Sequence, residues 1–384
     1  MIIIIIMSFL LAIATSLIMT IMPLLVTESL GFSMFFLGIV EGSTELLSNV
    51  LRLVSGNLFD KIKNKKLLFI SPPLLAFLSK ILLLNPSAFI LLISKTIERI
   101  ANGLFAVPRD SYIGAVAKNK GMAFGILSSF KSLGCVLGPS LVSGIVLLSN
   151  NLQENIYCIV LLACSVNFVA FLLSYFVNTK HRVILAKKSE KFNYVTLKPI
   201  FKQLRFIFII TILFFLGRFN DGLIMLYLKK QGFPEWFYLS TIALFNFVMF
   251  IIAPIIGILI DIKRYNTILY CTIISLLSFN FLFYNLAWMP WVFACLGLIC
   301  WGIQRTGAHI IFTNIIFNKT PTSYYGTTIG TYSLLNGLGT FIASMISGYL
   351  AEISFSYVFA FSGFFSFLAL LLVITTIHIR SDVA

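Results

Sequence analysis

Charge is scarce in this sequence, and negative charge is scarcest. Asp, Glu, Lys and Arg make up only 11% of the 384 residues, with 13 acids against 28 bases. That scarcity excludes a disordered chain, and a 59% hydrophobic composition belongs in a bilayer rather than in a soluble domain. Histidine is nearly missing, with three copies. No P-loop, Ser-x-x-Lys or His-Glu-x-x-His is present, so nothing marks an ATP-driven motor, an acylating serine or a zinc hydrolase. The chain reads as no enzyme. Its six cysteines, Cys135, Cys158, Cys164, Cys271, Cys295 and Cys300, all fall in apolar stretches without metal-type spacing, so they read as packing residues. No cofactor or metal is expected. Long polar segments are lacking too; the only one is 179–205.

What is present is a series of apolar stretches. A membrane-crossing helix needs roughly 20 apolar residues. The spans are predicted at 2–26, 32–58, 67–84, 88–117, 122–148, 155–178, 206–228, 234–260, 266–285, 290–316, 324–350 and 355–378. The fold class is therefore an all-α membrane protein of twelve transmembrane helices. Met1 to Met22 read as the first helix rather than as a signal peptide, because no positive n-region precedes the run and no small-x-small site follows it.

The bases report topology. Eighteen of them follow even-numbered spans or fill the middle loop, from Lys61, Lys63, Lys65 and Lys66 through Lys180–Arg205 to Arg380. The opposite loops hold Lys229 and Lys230. By the positive-inside rule the basic side is cytoplasmic, and both termini are expected there. The net charge of +15 is thus a topology signal and not a nucleic-acid signal. The Asn-x-Thr at Asn318 falls in a loop on that same inner side, where it carries no meaning.

The two halves repeat. Gly56-x-x-x-Asp60 at the end of span two recurs as Gly257-x-x-x-Asp261 at the end of span eight. Gly121-x-x-x-Gly125 and Gly134 in span five recur as Gly326-x-x-x-Gly330 and Gly339 in span eleven. Two parallel six-helix units follow: an N-terminal bundle over 1–178, a basic cytoplasmic linker over 179–205 and a C-terminal bundle over 206–384. Such halves hold a substrate near the bilayer midplane between them.

Gly56-x-x-x-Asp60-x-x-x-x-Lys65-Lys66 resembles the motif after helix two of the major facilitator superfamily, with Lys61-Ile62-Lys63-Asn64 where Arg-x-Gly is usual. Arg99-Ile100-Ala101-Asn102-Gly103-Leu104-Phe105-Ala106 resembles that family's helix-four element, with Asn102 in place of Gln. Gly134-x-x-x-Gly138-Pro139 is similar to the helix-five element of drug:proton antiporters. Pro108-Arg109-Asp110 in helix four, with Glu41-Gly42 upstream, resembles a bacterial subgroup with largely unassigned substrates. The resemblance implies a secondary transporter of the bacterial cytoplasmic membrane, with a cavity lined by helices one, four, seven and ten.

Ten charges sit inside the apolar stretches: Glu41, Glu45, Arg52, Lys95, Glu98, Arg99, Lys131, Arg218, Asp221 and Arg305. A charge at the centre of a membrane helix costs at least about 2.5–3.5 kcal/mol, so these must face one another or water. Glu41, Glu45, Ser48, Arg52 and Gly56 share one stripe of helix two, and Lys95, Arg99, Asn102, Ala106 and Arg109 share one stripe of helix four. Two readings stay open for them: a protonatable relay with Glu41 first and Glu45 second, coupled through Arg99, or a fixed salt-bridge network. The substrate-lining candidates are Arg99, Asn102, Lys131, Arg218, Asp221, Arg305 and His309. Arg218 and Asp221, three apart, are expected to pair locally, and Lys80 to snorkel at the outer end of helix three. Arg99 and Arg305 are expected to flank one anion site. Gly56, Asp60, Arg109, Asp110 and Asp261 read as gate and conformational residues, with Asp60 clamping Arg109.

The intramembrane bases Arg52, Lys80, Lys95, Arg99, Arg109, Lys131, Arg218 and Arg305 outnumber the acids Glu41, Glu45, Glu98, Asp110 and Asp221 by three. A substrate with anionic character is expected. The first functional reading is proton-coupled export of a small organic anion or amphiphile, such as a drug-like compound or siderophore. The second is symport of an anionic nutrient, and a distant third is a scaffold or sensor. The expected partners are that solute, protons and membrane lipid, and the chain is expected to act as a monomer without nucleic acid.

Overall fold

The computed structural model describes residues 1–61, 66–85, 87–116, 120–149, 152–177, 194–262, 264–320 and 325–381. Among them there is no β-strand. Thirteen helices follow in order: α1 Ile2–Leu24, α2 Met34–Lys61, α3 Leu67–Leu82, α4 Ala88–Val116, α5 Lys120–Ser149, α6 Leu152–Ser174, α7 Tyr194–Leu216, α8 Asp221–Lys230, α9 Glu235–Asp261, α10 Tyr265–Tyr284, α11 Pro290–Lys319, α12 Tyr325–Ile353 and α13 Phe355–Ser381. At 1.5 Å per residue most of them match a hydrocarbon core of about 30 Å. Nine helical segments among the described residues are long and apolar enough to cross a membrane. The shorter α3, α4 with its interior charges, and α11 complete the bundle.

Two sequence expectations differ from the structure. The seventh span is not one helix: it breaks over 217–220 into α7 and α8. Asn220 takes an extended conformation and its Oδ1 accepts from the Gly222 N–H at 2.8 Å, capping α8. The α8 end is closed by Gly232 at φ 80°, whose N–H bonds to the Lys229 carbonyl while the Phe233 N–H bonds to that of Leu228. Those two bonds are a Schellman ending, which only a left-handed residue completes cheaply. Helix α7 also begins earlier than the predicted span, at Tyr194 rather than 206.

The packing is doubled. In the first half α1 lies against α5 and α6, α2 against α4, and α3 against α4 and α6. In the second half α7 lies against α12 and α13, α9 against α11, and α10 against α11 and α13. Matching α1 with α7, α2 with α9, and so on through α6 with α13 maps each of these contacts onto its counterpart. The seams between the halves, α2 with α12 and α5 with α9, map onto each other as well.

Close packing at these helix contacts depends on missing side chains. A Cβ on Gly38 would overlap the Ser344 carbonyl oxygen of α12, and a Cβ on Gly138 would stand 2.9 Å from the Leu17 backbone nitrogen of α1. Backbone cannot yield as a side chain can. Gly38→Val is expected to cost about 1–3 kcal/mol by overpacking and to lower the Tm of detergent-purified protein, read by thermal unfolding. An unchanged Tm would mean that α2 and α12 do not pack this closely.

Candidate functional site

The acidic stripe of α2 meets the basic stripe of α4. Glu41 pairs with Lys95 at 2.9 Å and with Arg99 at 3.4 Å; Glu45 pairs with Arg99 at 2.8 Å. Helical spacing of four on both helices brings the groups to the same depth. The two acids differ in access. The Glu41 side chain is 10% exposed and held between two cations, whereas that of Glu45 is 39% exposed. Glu45 is the more accessible acid of the network.

A second ion pair lies deeper in the first half. Lys80 of α3 meets Glu98 of α4 at 2.6 Å, with the lysine side chain 0% exposed. Ser94 Oγ donates to the Ser79 carbonyl at 2.7 Å, and Asn167 Nδ2 of α6 donates to the Ala76 carbonyl at 3.1 Å, so three helices seal the site. The expectation that Lys80 snorkels is therefore wrong. A carboxylate inside the bundle satisfies the ammonium, and the side chain has no need to reach the interface.

The second half supplies its charges at the break. Asp221, the first residue of α8, accepts from Trp301 Nε1 at 2.9 Å and forms a close ion pair with Arg305 of α11. The Arg305 guanidinium also stands over the Phe245 ring, 5.2 Å from its centroid. The expected Arg218–Asp221 pair does not form. With the chain broken between them, the two no longer share a helix face, and Asp221 turns to α11. Arg218 is half-buried, and its side chain makes no hydrogen bond or ion pair among the described residues. Gly217 beside it is pinned to α13, where Ser362 Oγ donates to its carbonyl.

Charges of the two halves come within electrostatic reach of one another. Arg218 lies in the electrostatic field of Arg305, Asp221, Glu45 and Tyr332. Arg305 lies in that of Asp221, Glu45 and Cys135, and Cys135 in turn in that of Lys131. Glu45, paired with Arg99 in the first half, thus lies within electrostatic reach of Arg218 and Arg305 in the second. Asn102 is half-buried on α4, and its side chain makes no hydrogen bond among the described residues. Arg109 pairs with its neighbour Asp110 at 2.8 Å and stands over Phe105, more than two turns along α4 from Arg99. The side chains of Gly56, Asp60, Asp261 and His309 lie outside the described residues. Sequence reading missed Trp301 and Phe245. Trp301, one turn before Arg305, was visible as a hydrogen-bond donor in an apolar helix; nothing in the sequence marks Phe245.

At the end of the bundle that carries Glu28 and Lys229, three polar contacts join the halves. Those two form an ion pair between the halves. The Phe35 N–H donates to Glu352 Oε1 at 2.8 Å, and Ser143 Oγ donates to the Trp236 carbonyl at 2.5 Å.

Residues 4–343 match the Major Facilitator Superfamily. The chain belongs to that superfamily. A relative described as an uncharacterized MFS-type transporter of Methanocaldococcus jannaschii is 31% identical over 216 residues, which is 56% of this chain and 52% of that one. The chain thus spans about half the length of the curated relative it matches. Solved MFS-like folds agree along almost the whole length. A peptide transporter, POT, in complex with sulfate superposes with a TM-score of 0.80 at 14% identity, covering 99% of this chain and 94% of that one. The nucleoside transporter NupG gives 0.77 at 14% identity over 98% of both. At such identities the likeness establishes the fold alone. This MFS chain is a multi-pass membrane protein, and the cluster of charges to which both of its halves contribute is its candidate site.

Proposed function

We propose that this MFS chain is a proton-coupled secondary transporter that carries a small organic anion or amphiphile by alternating access through the chamber between its halves. The observation that carries this reading is the half-buried cation at Arg218, which has no carboxylate in contact among the described residues. Lys95 and Arg99 are balanced by Glu41 and Glu45, and Arg305 by Asp221. Arg218 has no acid of its own among the described residues. A half-buried guanidinium without a carboxylate in contact is stabilised by any ligand that brings one, in a geometry suited to bidentate recognition. Glu45, the exposed acid of the network, supplies the protonatable group.

Export was expected from Gly134-x-x-x-Gly138-Pro139 alone. In the structure those glycines let α5 press against Phe9, Ile13 and Leu17 of α1. Close packing of that kind serves either direction and gives export no separate support.

A screen of labelled solutes in proteoliposomes, with and without an imposed pH gradient, tests the reading. Anionic solutes are expected to accumulate at least about tenfold above protein-free vesicles when the gradient is present. Accumulation of neutral or cationic solutes only, or the same accumulation without a gradient, would contradict it.

A further inference from the structure

We propose that the anionic group of the substrate and a proton on Glu45 bind together, which makes the coupling symport, with Arg218 as the residue that anchors the anion. This rests on the reading of the chain as a coupled carrier of an anionic solute.

Glu45 has charged neighbours from both halves. Glu41 is one turn away on its own helix α2, and α4 contributes Arg99, in contact at 2.8 Å, and Lys95 beyond it. The break before α8 contributes Arg218, α8 contributes Asp221, and α11 contributes Arg305. From α12, which packs along α2, Tyr332 stands in the field of Arg218; from α5, Lys131 and Cys135 face the Arg305 side. Among these, Glu45 is the exposed carboxylate that faces cations of both halves. Glu41 is already shared between Lys95 and Arg99, and Asp221 between Arg305 and Trp301.

An anion that enters to meet Arg218 therefore meets ionised Glu45 as a like charge. The two compete for the same guanidiniums. Protonating Glu45 removes the repulsion and frees the Arg99 Nη1 donor, while Glu41 still balances that arginine. The proton strengthens the anion's binding, and by linkage the anion strengthens the proton's binding by the same factor. Ligands that compete are exchanged in opposite directions; ligands that reinforce each other cross together. A cationic substrate in the same chamber would reverse the sign and give antiport. With one group involved, the affinity for the anion changes by at most about tenfold per pH unit.

The test is binding to the full-length, detergent-purified protein, read as thermal stabilisation by benzenesulfonate, lactate and glutamate between about pH 5.5 and pH 8, where their acid groups stay ionised. Wild-type affinity is expected to strengthen as pH falls, and addition of the anion is expected to take up protons from a weakly buffered solution containing a pH indicator. Glu45→Gln is expected to bind at high pH as tightly as wild type does at low pH, with a flat profile; Glu45→Ala serves if the glutamine variant is not monodisperse. Arg218→Gln is expected to lose at least about tenfold in affinity at every pH. The proton-uptake measurement on wild type decides the matter without any variant. Affinity that is flat or weakens as pH falls, or proton release on binding, overturns symport and leaves the anionic-solute reading standing. No stabilisation by any of the three anions overturns the anchor and that reading together.

Discussion

Lys80→Met is expected to destabilise the protein by about 3–5 kcal/mol, more than the overpacking at Gly38. The change leaves Glu98 fully enclosed by α3, α4 and α6 with no cation in contact. A carboxylate that has lost its partner in a low-dielectric site must take up a proton or draw in water, and the packed Ser79, Ser94 and Asn167 leave little room for water. The paired replacement Lys80→Met with Glu98→Leu removes both charges at once and is expected to recover most of the loss, because two apolar side chains of similar volume fill the site. Thermal unfolding of the purified single and double variants measures both. A single variant that melts with wild type would show that the pair contributes nothing to stability.

Glu45→Gln is expected to abolish accumulation driven by a pH gradient, by at least about tenfold, while substrate exchange across the membrane persists. The amide keeps the volume and a hydrogen-bond acceptor for Arg99 but cannot carry a proton. Glu41→Gln is expected to differ. It weakens the contacts to Lys95 and Arg99 and lowers stability, yet leaves the exposed carboxylate of Glu45 in place, so gradient-driven transport survives in the folded fraction. Counterflow and gradient-driven uptake in the same vesicles separate the two effects. Loss of coupling in Glu41→Gln with coupling intact in Glu45→Gln would reverse the assignment.

Much of the architecture was open to reading from composition and period alone. The apolar runs place most helix boundaries within a few residues, since a bilayer leaves few alternatives to a spanning helix. The stripes of α2 and α4 follow from spacing by three and four, and the contact of Glu41 and Glu45 with Arg99 was one of the two readings that this spacing left open. Sequence reading ranked Glu41 ahead of Glu45. The structure exposes Glu45 instead, because burial depends on the neighbouring helix and not on the stripe. The break at 217–220 was missed although its sign was present: Asn220 followed by an acid in the first turn is a helix start, and a continuous apolar run hid it. The Lys80–Glu98 and Asp221–Arg305 pairs were out of reach. Each joins residues on different helices, so its register is set by helix–helix packing that local pattern does not encode. The expectation for Arg218 failed with the break. A residue three positions from an acid is its neighbour only while the helix continues.

The central claim is that a proton and an anion cross this chamber together, and proton movement tests it most directly. The full-length protein is reconstituted into vesicles with a trapped pH-sensitive dye, and benzenesulfonate, lactate or glutamate is added outside against protein-free vesicles. Symport predicts acidification of the interior that depends on the anion and on the protein, and that disappears in both Glu45→Gln and Arg218→Gln. Interior alkalinisation on addition of the anion, or no protein-dependent change with any of the three, would contradict it.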